Sequence, residues 1–218
     1  MMGLSLTRRF DSHYEWGGLK LTLDMSFDNV LLIYEMLEDR FLGTIDKLLL
    51  AVDMLVLDDE KLSEHGDQER IELALDLFRD CLGRDLRKEN DTAEEVEGDE
   101  NSIEAPVYDW NEDAELIYAS FLFDYNLDLF EVQGDLHWER FLALFKSLSE
   151  KSPFGIAIHY RTCDVPKPDQ HNKEERDHIL KMKRKYALKS EKAMQAQAEA
   201  AHQHALAFAA SIANKKGR

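Results

Sequence analysis

The residues with chemistry to offer are eight histidines, two cysteines and 44 acidic side chains, and their spacing decides what they can do. Glu174 and His178 stand four apart, with His171 and Glu175 close by. On a helix such a pair shares one face and can contribute to a divalent-cation site. A protein metal site needs more ligands than one pair, and acidic residues are also what the positive end of a helix attracts. The stretch is therefore read as a helix start, with no metal. His202 and His204, two apart, point to different faces of a helix. Cys81 and Cys163 fit neither a C-x-x-C nor a zinc spacing, so two reduced thiols are expected. No phosphate-binding glycine loop or G-x-S-x-G elbow occurs. The carboxylates are so numerous that no pair stands out as an acid–base couple, and nearly all are expected to be solvated. The expectation is a binding protein without catalytic residues or cofactor.

Charge is the stronger signal. The chain carries a formal −17, unevenly distributed. Residues 24–160 hold 11 basic and 35 acidic side chains, whereas residues 161–218 hold 13 basic and 7 acidic. An acidic body repels phosphate backbones and anionic lipid heads, so neither nucleic acid nor membrane is an expected partner. Lys181, Lys183, Arg184 and Lys185 form a basic cluster that suits a solvated helix face and can steer an acidic protein partner. Further on, Met194, Ala198, Ala201, Ala205, Phe208 and Ile212 recur at steps of 4, 3, 4, 3 and 4, the spacing of a coiled-coil seam. Alanine offers little apolar area, and ten alanines between 193 and 213 can give such spacing by composition alone. The expected partner-binding residues are Lys181, Lys183, Arg184, Lys185, Met194, Phe208 and Ile212, with self-association through the C-terminal helix as one outcome.

Helices must position these residues. Four prolines and ten glycines in 218 residues leave helix as the least costly conformation for most of the length. The alternation of Leu19, Leu21 and Leu23 with Lys20, Thr22 and Asp24 predicts a strand, and Gly17-Gly18 before it predicts a tight turn from a partner strand near Ser12–Trp16. Ser26, Thr44, Asp67 and Asn111 are placed to cap helices. Their apolar faces include Val30 and Leu37, then Ile45 and Leu48, then Ile71, Leu75 and Phe78, then Ile117 and Phe121. Gly134 separates a short helix from a longer one built on Leu136, Phe141 and Phe145, and Pro153 starts another. Tyr118, Phe121, Phe141 and Phe145 are expected to bury against one another. Residues 85–105 offer little to bury and read as an acidic linker. Residues 164–171 contain two prolines and read as an extended connector. From 172 to 213 nothing breaks a helix. The predicted class is mainly α: a helical bundle with a small N-terminal β-hairpin and a long C-terminal helix. It divides into a hairpin with helices (1–84), the linker, an aromatic-rich helical part (106–163), the connector and a basic, alanine-rich helix (172–218).

The N-terminus has no apolar core of a secretory signal, and no apolar run approaches the length of a membrane span. A cytoplasmic protein is expected. One resemblance sharpens this. The blocks SLTRRF, SFDNVLLIYEMLED, DAELIYASFLFDYNLDL, GDLHWERFLALFKSLSE and VPKPDQHNKEER, followed by KMKRKYAL, lie in order between about Leu4 and Leu188. Together they resemble the bacteriophage Gp15 family, found in siphophages of Gram-positive hosts and encoded near the tape-measure gene. The alanine-rich tail after Ser190 and much of the acidic linker fall outside the shared pattern. The resemblance implies a tail-assembly chaperone that binds the tape-measure protein in the host cytoplasm, or else a structural tail component retained in the virion. It brings no catalytic residues with it.

Overall fold

A computed structural model describes residues 7, 10, 12–91, 107–169, 171–190 and 194. In chain order its elements are strands β1 (His13–Trp16) and β2 (Leu19–Thr22), then helices α1 (Phe27–Glu38), α2 (Thr44–Leu55), α3 (Asp67–Asp80), α4 (Leu86–Asp91), α5 (Ala114–Tyr125), α6 (Trp138–Lys146), α7 (Pro153–Thr162) and α8 (Lys173–Tyr186). The protein is mainly helical, with one small N-terminal hairpin, as its sequence predicts. It forms two compact units, one of Met1–Gly98 with Asp128–Ser147, the other of Asp99–Leu127 with Leu148–Arg218.

In the first unit β1 and β2 pair antiparallel, with Trp16 opposite Leu19. Gly17 (φ 57°) and Gly18 (φ 83°) supply the two successive positive φ angles of a two-residue hairpin turn. Leu21 and Leu23 point inward and are buried. The chain then runs beside the end of α2, where Asp24 N–H donates to Leu55 O and Leu57 N–H donates to Thr22 O. A second local pairing joins the start of α1 to the start of α6: Phe27 N–H donates to Leu136 O, and Trp138 N–H donates to Met25 O. It aligns the aromatic core. The Phe141 ring is fully buried and stacks on Phe27 (4.8 Å), Trp138 (5.5 Å) and Phe145 (6.1 Å). Val30, Ile33, Val52, Leu55, Leu73, Leu77 and Phe78 complete the core.

The helix starts differ from the sequence expectation in informative ways. Ser26 occupies the N-cap of α1, but its hydroxyl donates to Asp24 Oδ1 (2.7 Å). Gly43 and Gly66, both with extended backbone, hold the N-caps of α2 and α3, which places Thr44 and Asp67 inside the first turn. At α3 the Glu69 carboxylate reaches back to accept from Gly66 N–H (3.1 Å). Asp113, not Asn111, occupies the N-cap position of α5, without a side-chain cap bond of its own, because Asp109 Oδ1 accepts from Asn111 and Glu112 N–H and bends the chain into a turn first. The face of α3 is rotated from the expected one: Leu73, Ala74, Leu77 and Phe78 are buried, with Ile71 and Leu75 at its edge. Ile45, expected inward, is exposed. The acidic stretch begins with the short helix α4, and residues 92–106 lie outside the described residues. The short helix expected before Gly134 is a series of turns, and α6 starts at Trp138, after Leu136.

In the second unit α5 packs on α7, and α7 on α8. Ser152 caps α7 by accepting from Gly155 N–H (3.1 Å), with Pro153 at the first helical position. Gly155 is required by close approach: a Cβ there would stand 2.2 Å from Ser149 O. Ser120 Oγ on buried α5 surface accepts from Phe154 N–H (2.9 Å) and joins the two helices. Phe121 is buried and its ring meets Tyr125 edge-on (5.8 Å). Of the four aromatics expected to bury together, Phe141 and Phe145 belong to the first unit and Tyr118 and Phe121 to the second.

Candidate partner-binding surface

The basic cluster lies on the last two turns of α8. Lys181, Arg184 and Lys185 are exposed, whereas Lys183 is half-buried and its Nζ donates to Arg161 O on α7 (3.0 Å). Three of the four expected cations thus face solvent, and the fourth ties helix to helix. Lys185 Nζ lies 4.9 Å from the Tyr186 ring centroid. Tyr186 in turn stacks on Tyr160 (6.0 Å).

What holds α8 in place is a buried ion pair that the sequence did not disclose. Arg161 donates to both carboxylate oxygens of Asp113, at 2.6 Å each. Their side chains are only 11% and 1% exposed. The same guanidinium donates to Val107 O and Tyr186 O. One arginine therefore joins the start of α5, the segment before it, α7 and the end of α8. A bidentate arginine is suited to this because its fork of donors is planar and fixed.

The single helix expected over 172–213 stops at Tyr186. Ala187 is extended (ψ 135°), and Leu188 turns inward and is buried. The cause is competition for the backbone: Arg161 takes Tyr186 O, and the Glu112 carboxylate accepts from the N–H groups of Lys189 and Ser190. Met194 is helical, and its N–H donates to Ser190 O (2.8 Å), so helical bonding resumes after the break. Its side chain is exposed. Phe208 and Ile212 lie outside the described residues.

His178 Nε2 is 3.3 Å from Tyr160 Oη. Among the described residues no three His, Cys, Asp or Glu side chains converge to hold a metal ion. Burial, with the Asp80 carboxylate adding to it, pushes the Cys81 thiol up to about 11, far from a reactive thiolate at neutral pH. His137 caps α6 by accepting from Glu139 N–H at Nδ1 (3.2 Å), and its ring stacks on Phe10. Burial, with Arg140 adding to it, holds that imidazole below the usual histidine range.

A second surface was not foreseen from the sequence. Leu32 on α1 is 53% exposed and Leu50 on α2 is 38% exposed, each outside the core-facing stripe of its own helix. The helices run antiparallel and adjacent, with Asn29 Nδ2 donating to Met54 O and Lys47 Nζ to Leu37 O. Those bonds bring Leu32 and Leu50 to within about a helical turn of the same level.

Among the described residues no helix is long and apolar enough to cross a membrane. Fold and surface together define a mainly helical protein with a basic face on α8 and exposed leucines on α1 and α2. The chain belongs to the bacteriophage Gp15 family: the family model described as Bacteriophage Gp15 protein matches residues 8–188. It is a phage protein. No curated protein matches it, and no solved structure does.

Proposed function

We propose that this phage protein is a non-catalytic tail-assembly chaperone that binds the tape-measure protein in the host cytoplasm during tail morphogenesis. The observation that carries the reading is the exposure of large apolar side chains on well-formed helices, Leu32, Leu50 and Phe123 among them, within a strongly acidic chain. Scattered exposed leucines are ordinary, but a strip shared by two helices suits coverage of another apolar helix. The acidic remainder keeps such a complex soluble. A long tape-measure helix with exposed apolar stripes would aggregate alone, which is the need a chaperone of this kind meets. The basic face of Lys181, Arg184 and Lys185 adds electrostatic steering toward acidic segments, chiefly by raising the association rate.

Co-expression with the tape-measure protein of the same phage tests the proposal. The tape-measure protein is expected to remain soluble and to co-purify with this chain, and to precipitate without it. A tape-measure protein equally soluble alone would sink the chaperone role. Recovery of the chain in stoichiometric amount from purified virions would instead make it a structural tail component.

A further inference from the structure

α1 and α2 carry the same nine-residue pattern. Residues 28–36 read DNVLLIYEM and residues 46–54 read DKLLLAVDM, an aspartate, two adjacent leucines, an acidic residue and a methionine at matching positions. Each exposed leucine is thereby bracketed alike. Leu32 has Asp28 four residues before it, Glu35 three after and Met36 four after. Leu50 has Asp46, Asp53 and Met54 at the same offsets. Residues three and four apart on a helix are surface neighbours, so each helix sets a leucine and a methionine beside two carboxylates, of which Asp28 is half-buried and accepts from Gly134 N–H. Because the helices are antiparallel and the leucines stand near one level, the two copies make a pseudo-twofold surface. Leu32, Met36, Leu50 and Met54 line its middle, and carboxylates lie on both rims.

We infer that this strip is a docking groove for an amphipathic helix of a partner protein whose apolar stripe is flanked by lysine or arginine. Charge complementarity selects the occupant. Glu35 and Asp46 are exposed, and Asp53, although paired with Arg70, remains half exposed. The only cation in either helix, Lys47, donates to Leu37 O (2.6 Å). An approaching helix thus meets apolar contact in the centre and negative charge on either side. Two methionines allow the floor to adapt to different apolar side chains. The pseudo-twofold offers the same face to a helix lying in either direction, which suits a long partner with a repeating stripe. The inference rests on the reading that this protein holds a helix of another chain.

The test uses the full-length protein and two synthetic helical peptides of about 18 residues, five turns. Both repeat leucine at i, i+3, i+4 and i+7; one has lysine flanks, the other glutamate flanks. The lysine peptide is expected to bind and to slow amide exchange within residues 27–55, and the glutamate peptide to bind at least about tenfold more weakly. Two variants address folding separately: Leu32→Glu with Leu50→Glu, and Glu35→Lys with Asp46→Lys, the second leaving every apolar residue in place. Each is expected to weaken the lysine peptide at least about tenfold with an unchanged thermal transition. Equal binding of both peptides, or protection elsewhere in the chain, overturns the inference. So does loss of self-association in the leucine variant, which would give the groove to a second copy. Faster exchange in α1 and α2 after truncation at Ser190 would give it to the chain's own tail and overturn the inference equally. The tape-measure experiment separates the two proposals. Undiminished co-purification with both groove variants removes the groove and leaves the chaperone reading. Peptide binding at the groove, with no tape-measure solubilisation by the wild type, does the reverse.

Discussion

His137 opens α6 with a ring nitrogen where most helices use a hydroxyl or carboxylate oxygen. A nitrogen that accepts a hydrogen bond must be unprotonated, so this cap is tied to pH. Burial lowers the folded-state pKa, and the unfolded chain therefore takes up the proton more readily. The stabilisation is fully present above the ordinary histidine pKa, about 6.5, and is lost as pH falls through that value toward the folded one. Losing a cap costs about 0.5–2 kcal/mol. His137→Asn keeps an accepting cap that does not titrate. Urea midpoints measured near pH 7.5 and near pH 5.5 should fall further for the wild type than for this variant; equal falls would show that the cap does not titrate in that window. Asp113 sets a larger stake. Removing one partner of a buried ion pair leaves a charge without compensation and costs about 3–5 kcal/mol. Asp113→Ala should show a loss of that size in urea denaturation, and Asp113→Asn, which can still accept one hydrogen bond from Arg161, a smaller one. If the alanine variant loses under about 1 kcal/mol, in the range of surface changes, the pair is not what fastens α5, α7 and α8 together.

At the scale of elements, α6 shows how far local pattern reaches. Its aromatic face was legible in part: Phe141 and Phe145, four apart, were read on one face, and Trp138, three before Phe141, joins them in the structure. Phe141→Ala should cost about 3–5 kcal/mol, since the ring is fully buried among three others. Thermal or urea unfolding measures that directly, and a small loss would mean the face is far less packed than its stacking implies. The hairpin was legible for the same kind of reason: alternation over three leucines, and two glycines where positive φ is needed. What was not legible depends on residues distant in sequence. Nothing near Asp113 announces that Arg161, 48 residues later, will take both of its oxygens. Nothing near Tyr186 announces that Glu112 will claim the N–H groups of Lys189 and Ser190 and end a helix that propensity alone would continue. Caps went to glycines where threonine and aspartate were expected, because extended backbone at Gly43 and Gly66 satisfied the entry geometry first. The expected binding residues were only partly brought together. Lys181, Arg184 and Lys185 share an exposed face, Lys183 is spent on Arg161 O, and Met194 comes after the helix break. The α1–α2 strip was missed because only the core-facing stripe of each helix was read, and Leu32 and Leu50 lie outside it. The repeated spacing of Leu32 and Leu50 had a sequence signal, but only the antiparallel pairing gave it meaning.

On the scale of the whole molecule, the two units are interleaved in sequence, and this makes the chain hard to dissect by simple truncation. The first unit takes residues 1–98 and then returns for 128–147. Cutting the chain after α4 would remove Leu129, Leu136, Trp138, Phe141 and Phe145, all buried. At about 1.5–3 kcal/mol for each buried side chain, the loss is comparable with the whole net stability of an ordinary domain, about 5–15 kcal/mol. It would also leave Phe27 without its stacking partner and unmake the backbone bonds between Met25–Phe27 and Leu136–Trp138. Residues 1–91 alone should therefore retain helical signal in the far-ultraviolet but show no cooperative urea transition, and should bind a hydrophobic dye as a loosely packed state does. Joining residues 1–91 to 128–147 through a flexible glycine–serine linker should restore a single cooperative transition, because linker length adds only slowly to the entropic cost of closure. A cooperative transition in 1–91 alone, with the midpoint of the linked form, would show that α6 is an accessory to this unit and not part of its core.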